Sequence, residues 1–598
     1  MIEPRFRWRA PETASLNAGY LAIGRSHGVS ERLLSILAAR GIADGEALLR
    51  FLAPAEEGLH DPRLLPDSAV ALARVALARH RGERVLVYGD FDADGLTGLS
   101  IVVIALRRFG LDVEPYVPER IGDGHGLSLR ALDRAVAEGR TLIVTADCGT
   151  SSGAEIDLAV SRGVDVIVTD HHHAATWPAA AVAVVNPQRA DSVYPEHALT
   201  GAGVAWKFAH LVLGEFSEGV APVLPAAVRE LADLALIGTV ADVAPILGEN
   251  RSIARLGLER LRTGARPGLA ALITRAGVAV DRLDTDGIGF AIAPRLNAAG
   301  RVGEAGRAAR LLLSEDPAEA AALAEEIDKA NTDRRELTKV ALSEAREILG
   351  LSTESAGRGE GTITMVPPGA LLVRGDWSVG IIGLIAGRLA DDLGRPAVVA
   401  TLVDPEAGIL RASCRSAAGV NLAESLIECE DLLVRHGGHA AAAGFDIQAD
   451  RWPEFELRFS AVVAAALVGS PAVPDVPELR LDLILRADSV DYALVRELAL
   501  LDPTGFGNPV PVIGIGGLTV SRVRAAAGGH TQLVLKRSRD VLDAIAFRRP
   551  DLATTLHEGD RVDVAARAGS RRFGGVESMQ LEVVDVAPEA SQPGMRFG

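Results

Sequence analysis

Residues 84–110 read RVLVYGDFDADGLTGLSIVVIALRRFG, and the reading of this stretch decides the fold. It opens as a Val-rich run of strand length, passes through three aspartates at alternate positions, Asp90, Asp92 and Asp94, and continues as an apolar segment of helix length. The run D-x-D-x-D-G is also how a calcium-binding EF-hand loop begins. Such a loop closes with a bidentate Glu at its twelfth position, and the twelfth residue counted from Asp90 is Ile101. A strand ending in a carboxylate cluster and turning straight into a helix is the reading that survives.

Further along, short Val/Ile-rich runs keep alternating with amphipathic stretches: DVEPYV, SLRALDRAVAEG, TLIVTAD, AEIDLAVSRG, DVIVTDHHH and AVAVVNP. That alternation predicts a parallel sheet with helices on both faces, and such sheets bind ligands beyond the carboxyl ends of their strands. Three of these ends carry Asp90/Asp92/Asp94, Asp147 and Asp170-His171-His172. Residues 316–349 lack Gly and any Pro after Pro317, which predicts one long helix linking two domains. After a break at STESAGRGEG (352–361), a second α/β segment contains ALLVRG, SVGIIGLIAGRLADDLG and PAVVATLV. The Pro-rich linker GSPAVPDVP (469–477) leads to several short strand-like runs, the pattern of a small barrel.

A chain of 598 residues exceeds one hydrophobic core. No apolar run approaches the roughly 18 residues of a membrane span, and the first residues have no apolar core of the secretory kind, so a cytoplasmic protein is expected. Cys148, Cys414 and Cys429 show no C-x-x-C pairing, which excludes a disulfide framework and a four-thiolate zinc site. The net charge of −17 argues against a surface coated in nucleic acid, although a basic channel can sit inside an acidic total.

Four places combine metal-ligating chemistry with strand-end position: Asp92 and Asp94 in GDFDADG, Asp147 in VTADCG, His171 and His172 in VTDHHH, and Asp242 in IGTVADVAP. Mixed carboxylate and imidazole ligands suit manganese or magnesium. Four or more clustered carboxylates are too anionic to stand alone, and two cations roughly 4 Å apart, bridged by a shared Asp, would neutralise them and clamp phosphate oxygens.

DADG, TADCG, TDHH and TVADVAP, in this order and spacing, resemble the DHH phosphoesterase superfamily and more specifically the RecJ single-strand exonucleases. PRLNAAGR (294–301), RASCRS (411–416), GGHAAAAGF (437–445) and TGFGNPVP (504–511) resemble further signatures of that family and of its DHHA1 domain. The resemblance implies an N-terminal region at 1–80, a parallel-sheet DHH domain at 81–315, a connecting helix at 316–350, a smaller α/β DHHA1 domain at 360–468 and an OB-like barrel at 478–590. It implies Asp92, Asp94, Asp147, His171 and Asp242 as ligands of a two-metal site holding Mn2+ or Mg2+. Asp147 is its expected bridge, and Asp90 is a ligand or a supporting acid. It implies His172 beside the scissile phosphate, and Arg120, Arg295, Asn297, Arg301, Ser413, Arg415 and His439 on the substrate, where the planar fork of arginine suits phosphate.

The expected activity is 5′-to-3′ hydrolysis of single-stranded DNA to 5′-mononucleotides in repair and recombination. The expected partners are single-stranded DNA, a single-strand binding protein and a helicase, with no membrane. Ser378 stands where the family usually has His, which puts one contact from the second domain in doubt. The competing readings are a DHH/DHHA1 phosphodiesterase of short oligonucleotides or cyclic dinucleotides, which generally lacks a barrel, a 5′-to-3′ exonuclease acting on RNA, and a non-catalytic replication-fork scaffold, which the intact set of ligands disfavours.

Overall fold

In the computed structural model, which describes the chain except for residues 1, 13–14, 120–125, 218–221, 303, 352–368, 469–475, 574–575, 596 and 598, the run opening at Arg84 is a strand. It is β1 (Arg84–Gly89), and β2 (Asp112–Tyr116), β3 (Leu142–Ala146), β4 (Asp165–Thr169) and β5 (Ala183–Val185) join it in a five-stranded sheet. All neighbours are parallel, in the order β2-β1-β3-β4-β5. The continuous apolar runs follow from this arrangement: a parallel sheet covered on both faces has no wet side, and β3 is buried along its whole length.

The helix after β1, α1 (Ala93–Arg108), has 13 of its 16 residues buried, so it needs apolar neighbours on nearly every side. Two helices supply them, α2 (Gly201–Leu213) and α3 (Ala232–Ala241). A further helix, α4 (Ala293–Val302), carries the PRLNAAGR segment and packs on α5 (Pro317–Ile348). At 32 residues α5 runs about 48 Å. Its first half buries Ala320, Leu323, Ala324 and Ile327, and its second half buries Ala341 and Ala345. Those two alanines share a core with Ile381, Ile385 and Leu389 of α6 (Val379–Leu393).

The second sheet contains β6 (Leu371–Arg374), β7 (Ala397–Asp404), β8 (Ile409–Arg415), β9 (Leu433–Gly438) and β10 (Ala442–Gln448), in the order β9-β10-β8-β7-β6. Only β6 and β7 are parallel. Along β8 burial alternates strictly, so Leu410, Ala412 and Cys414 face the core while Arg411, Ser413 and Arg415 share the opposite face. The break expected at 352–361 lies outside the described residues. All of these elements belong to one compact unit, Leu59–Ala244 with Ser252–Val473.

A second unit comprises Met1–Gly58, Pro245–Arg251 and Pro474–Gly598. Its centre is a barrel of β11 (Ile513–Ala526), β12 (His530–Arg537), β13 (Asp540–Ala546), β14 (Arg561–Phe573) and β15 (Val576–Pro588), ordered β11-β12-β13-β15-β14 and closed by pairing of β14 with β11. Closure pairs the two outer strands of these five with each other, and a short sixth strand, Leu483–Leu485, adds to β11 in parallel. The strands here alternate instead of running apolar throughout, as in β12, where Thr531, Leu533 and Leu535 point inward. The region 1–80 is not one piece: residues 1–58 join the barrel's unit, and helix Ser68–Arg81 belongs with the parallel sheet. Tyr20, Leu33, Leu34 and Leu37 share a core with Leu518, Leu533 and Val564 of the barrel. Strand Arg7–Arg9 pairs with Glu478–Arg480, and Trp8 Nε1 donates to the buried carboxylate of Asp585 at 2.9 Å.

The α/β fold expected from the sequence, with its parallel sheet, smaller second sheet, long helix and terminal OB-like barrel, is the fold observed. Among the described residues no helix is long and apolar enough to cross a membrane, and Cys148, Cys414 and Cys429 are buried and unpaired.

Candidate metal centre

The order β2-β1-β3-β4-β5 reverses direction between β1 and β3, and in a doubly wound sheet the crevice opens beyond the strand ends at that point. The strands stop there in register, Gly89 beside Ala146 and Ala146 beside Thr169. The next residues are Asp90, Asp147 and Asp170. Each still donates its backbone N–H to the adjacent strand, to Ala146 O at 3.3 Å, Thr169 O at 3.0 Å and Val185 O at 3.2 Å. Three carboxylates are thus aligned by sheet geometry before any side chain is considered.

Beyond β1 the chain turns into α1 with Asp92 as its cap, accepting from the N–H groups of Asp94 and Gly95 at 3.0 Å each. Asp94, inside the first turn, is held from the other side: Oδ2 accepts from Gly201 N at 2.7 Å and Oδ1 from Ala202 N at 2.9 Å, both at the start of α2. The fit demands glycine at two places. A Cβ on Gly201 would lie 2.3 Å from Asp147 Cβ, and one on Gly238 of α3 would lie 2.3 Å from Asp94 Oδ1. Asp242, expected at a strand end, instead caps the C-terminal end of the helix α3, because the apolar run before it winds into a buried helix.

His171 collects these acids. Its Nε2 lies 3.2 Å from Asp147 Oδ1, 3.8 Å from Asp242 Oδ2 and 3.9 Å from Asp94 Oδ2. Donor atoms fall within 4.8 Å of one another in three overlapping groups: Asp94, His171 and Asp242; Asp90, Asp92 and Asp147; and Asp147, Asp170, His171 and His172. Asp147 belongs to two of them, in a left-handed backbone conformation (φ 62°) that short polar residues tolerate. Asp170 is already spent, since its oxygens accept from Thr150 N, His171 N, His172 N and His172 Nδ1.

Burial raises the carboxyl groups of Asp92 and Asp94 above the ordinary range and Asp147 well above it, with neighbouring acids adding to the effect on each. Asp242 is pushed up to about 6 by burial and then by Asp94. The Asp170–His172 hydrogen bond of 2.7 Å does the opposite for that pair. His172 rises to about 9, and Asp170, despite its burial, falls to about 2. Asp147 Oδ1 is fully buried yet accepts no hydrogen bond from the described residues. An acceptor left without a donor, among acids that resist ionising together, is the signature of a cation site. The oxygen and imidazole donors fit manganese or magnesium.

The other expected residues divide. Arg120 lies outside the described residues. Arg295 pairs with Asp328 at 2.8 Å and donates to Ala291 O. Asn297 is turned toward the metal loop, where its Oδ1 accepts from Ala93 N at 2.7 Å. Arg301 donates to Gly380 O at 3.1 Å, joining α4 to the start of α6. Ser413 and Arg415 form a small cationic face: Arg415 donates to Ser413 Oγ at 3.2 Å and has no carboxylate partner among the described residues. Burial holds its guanidinium below the usual value. His439 is exposed in a turn closed by its N–H to Ala442 O. Ser378 caps α6, and the preceding Trp377 donates to Glu344 of α5 at 2.8 Å.

Sequence reading assigns no role to the start of α2 or to Asp170. The signal for the first is Thr-Gly-Ala-Gly at 200–203, a capping residue followed by small residues that let backbone N–H groups approach a carboxylate. Asp170 orients His172, and Asn186 holds the same turn by donating to His172 O at 3.0 Å.

The DHH family N-terminal domain matches residues 84–239, the DHHA1 domain 367–465 and the RecJ OB domain 481–585. The single-stranded-DNA-specific exonuclease RecJ of Bacillus subtilis (strain 168) is 33% identical over 561 residues, 94% of this chain and 68% of that protein. The RecJ of Dickeya dadantii is 34% identical over 574 residues, covering 93% of this chain and 96% of its own. The chain belongs to the RecJ family.

Among solved structures, RecJ from Thermus thermophilus in complex with Mn2+ matches with a TM-score of 0.78 at 32% identity, over 99% of this chain and 81% of that one. The Mg2+ complex of the same RecJ matches with a TM-score of 0.72. Of the residues gathered here, Asp92, Asp94, Asp147, His171 and His172 fall within the DHH match, and Ser413, Arg415 and His439 within the DHHA1 match. Asp242 lies three residues beyond the DHH boundary.

Proposed function

We propose that this RecJ-family chain is a metal-dependent 5′-to-3′ exonuclease that hydrolyses single-stranded DNA to 5′-mononucleotides in DNA repair and recombination. The observation that carries the proposal is the convergence of Asp94, Asp147 and Asp242 on His171 Nε2 around an oxygen of Asp147 that has no hydrogen-bond donor among the described residues. Asp90, Asp92 and Asp147 would hold one divalent cation, and Asp94, His171 and Asp242 the other, with Asp147 shared. Manganese or magnesium bound there supplies a nucleophile at neutral pH and positive charge for the phosphate oxygens.

The chain's own residues do the rest. His172, kept protonated by Asp170, donates to a non-bridging oxygen of the scissile phosphate. Arg415 and Ser413 bind the terminal 5′ phosphate, since a half-buried guanidinium with no carboxylate partner among the described residues awaits an anion. Arg120, Arg301 and His439 serve the sugar-phosphate backbone. Arg295 and Asn297 act at one remove, Arg295 by fixing α4 to α5 and Asn297 by fixing the turn at Ala93. The barrel provides a stacking and cationic path for the strand, with Arg522 and Arg524 on β11. A cytoplasmic location and recruitment by a single-strand binding protein and a helicase complete the reading.

The test compares wild type with Asp147→Ala on 3′-labelled single-stranded DNA, blunt duplex and RNA in Mn2+ or Mg2+. Progressive 5′ shortening of single-stranded DNA, lost in the variant, is expected. Intact long strands with cleaved dinucleotides would sink this reading in favour of a short-oligonucleotide phosphodiesterase, and equal shortening of RNA would remove the stated preference for DNA.

A further inference from the structure

The long helix α5 lies wholly within the unit Leu59–Ala244 with Ser252–Val473. Its inward stripe keeps helical spacing along the whole length: Ala320, Leu323, Ala324 and Ile327, then Asn331, Arg334 and Thr338, then Ala341 and Ala345. Both ends of the stripe are apolar and the middle is polar. Asn331 is buried and Arg334 and Thr338 are half-buried, while residues 332–333 and 335–337 between them are exposed. An arginine therefore stands where an apolar residue would have joined the two ends.

Arg334 is poorly served by its surroundings. Its Nη2 donates to Asn331 Oδ1 at 3.0 Å, on the same helix. Its Nε is fully buried and meets no acceptor among the described residues. The guanidinium has no carboxylate partner there either, and burial, with the charge of neighbouring Arg335, holds it below its usual value. Arg346 of the same helix, by contrast, pairs with Asp392 at 2.6 Å. A cation withdrawn from water without a counter-ion lowers stability, so the fold gains nothing by keeping Arg334.

The place of the polar stretch says what it is kept for. The first half of α5 packs on α4, through Asp328 and Arg295 among others, and the second half packs on α6. α4 lies against the metal loop, where Asn297 accepts from Ala93 N and a Cβ on Gly300 would lie 2.9 Å from Phe91 O. α6 lies against the Arg415 face, since a Cβ on Gly383 would lie 3.1 Å from Ser413 Oγ and 3.2 Å from Arg415 Nη2. The polar middle of α5 falls where the first packing gives way to the second, between the helix of the metal loop and the helix of the Arg415 face.

We infer that Arg334 is a further substrate-binding residue, which takes a phosphate group supplied by the bound strand or by the 5′-mononucleotide released from it. The inference rests on the reading of the chain as an exonuclease. An incoming phosphate provides the counter-ion that the fold withholds, and the planar fork of arginine suits it.

The experiment measures, in Mn2+, KM for 3′-labelled single-stranded DNA between 50 and 200 mM salt and Ki for deoxyadenosine 5′-monophosphate, with Tm of the DNA-free chain in parallel. Arg334→Met is expected to raise one of the two constants about tenfold, as befits one hydrogen-bonded contact to a charged group. KM rises if the phosphate belongs to the strand, and its log–log dependence on salt then becomes shallower by about 0.7, the share of one phosphate contact. Ki rises if the phosphate belongs to the released mononucleotide. Arg334→Lys keeps the charge without the fork and should fall between wild type and Arg334→Met. Tm of Arg334→Met should equal or exceed that of wild type. Unchanged KM and Ki overturn the inference. So does a lower Tm or a failure of Arg334→Met to fold, either of which makes Arg334 a structural residue, and so does a KM rise with an unaltered salt dependence. A wild type that leaves single-stranded DNA intact overturns the functional reading, and the inference with it, before any variant is compared.

Discussion

Gly201→Ala tests whether the metal centre depends on the close approach of α2 to β3. The new Cβ would lie 2.3 Å from Asp147 Cβ and 2.4 Å from Asp147 Oδ1. Carbon atoms settle at about 3.5 Å or more, so something has to move by about 1.2 Å, the difference of the two distances. Neither partner can yield freely. Asp147 is 3% exposed, and its N–H is bound to Thr169 O. The start of α2 is held by the Asp94 carboxylate at two N–H groups, and Ala202 behind it packs 3.5 Å from the Cβ position of Gly98. Overpacking of this kind costs about 1–3 kcal/mol, which a domain of this size survives, so the protein should fold. A displacement of about 1 Å at a reacting group costs on the order of a hundredfold in rate. The expected outcome is therefore a folded enzyme with roughly a hundredfold lower kcat/KM on 3′-labelled single-stranded DNA and weaker Mn2+ binding. Gly153→Ala is the matched control: it is also the first residue of a helix, and its Cβ meets nothing within 4 Å. If Gly201→Ala keeps kcat/KM within about threefold of wild type, the placement of the Asp147 carboxylate is not what sets the rate, and the argument from the hundredfold figure fails.

Four further outcomes are expected. Asp242 sits at about 6 in the folded protein, above its unfolded value, so the metal-free chain binds extra protons between about pH 4 and 6 and loses stability as pH rises through that window. Divalent cations compete with those protons, so the Mn2+-induced rise in Tm should be small at pH 5 and larger at pH 7.5; a pH-independent rise would contradict it. Asn297→Ala removes the acceptor for Ala93 N and should lower kcat with KM for DNA nearly unchanged, whereas a pure KM effect would restore Asn297 to the substrate. Arg415→Lys keeps the charge but loses the planar fork, and should raise KM for 5′-phosphorylated strands while leaving 5′-hydroxyl strands unaffected. Trp8→Phe removes the hydrogen bond to buried Asp585 and should destabilise the barrel by about 1.5–3 kcal/mol, read as an earlier unfolding transition with Mn2+ binding intact.

What could be read in the sequence and what could not separate along a physical line. Strand ends are legible because a fully buried parallel strand is a continuous apolar run and stops where the first charge appears. Asp90, Asp147 and Asp170 each mark such a stop, and the parallel register then aligns them without further information. Asp242 was legible only through its motif, because past Asp233 α3 carries no charge and no periodicity distinguishes its end from its middle. The partners of long side chains were not legible at all. Nothing local to PRLNAAGR indicates that Arg295 turns to Asp328, 33 residues away, while Asn297 turns to Ala93, 204 residues away.

The same limit explains residues 1–80. Their amphipathic helices advertise an apolar face but not its owner, and the owner of the first part is a barrel more than 400 residues further along the chain. It also explains why TVADVAP reads as a ligand motif and nothing more. The approach of Asp242 Oδ2 to within 3.8 Å of His171 Nε2 is a property of where α3 ends beside the parallel sheet, and no residue of the motif announces it. A sequence records which residues a site uses. Which distant contacts hold them still is recorded only in the packing, as where the start of α2 grips the Asp94 carboxylate through the N–H groups of Gly201 and Ala202.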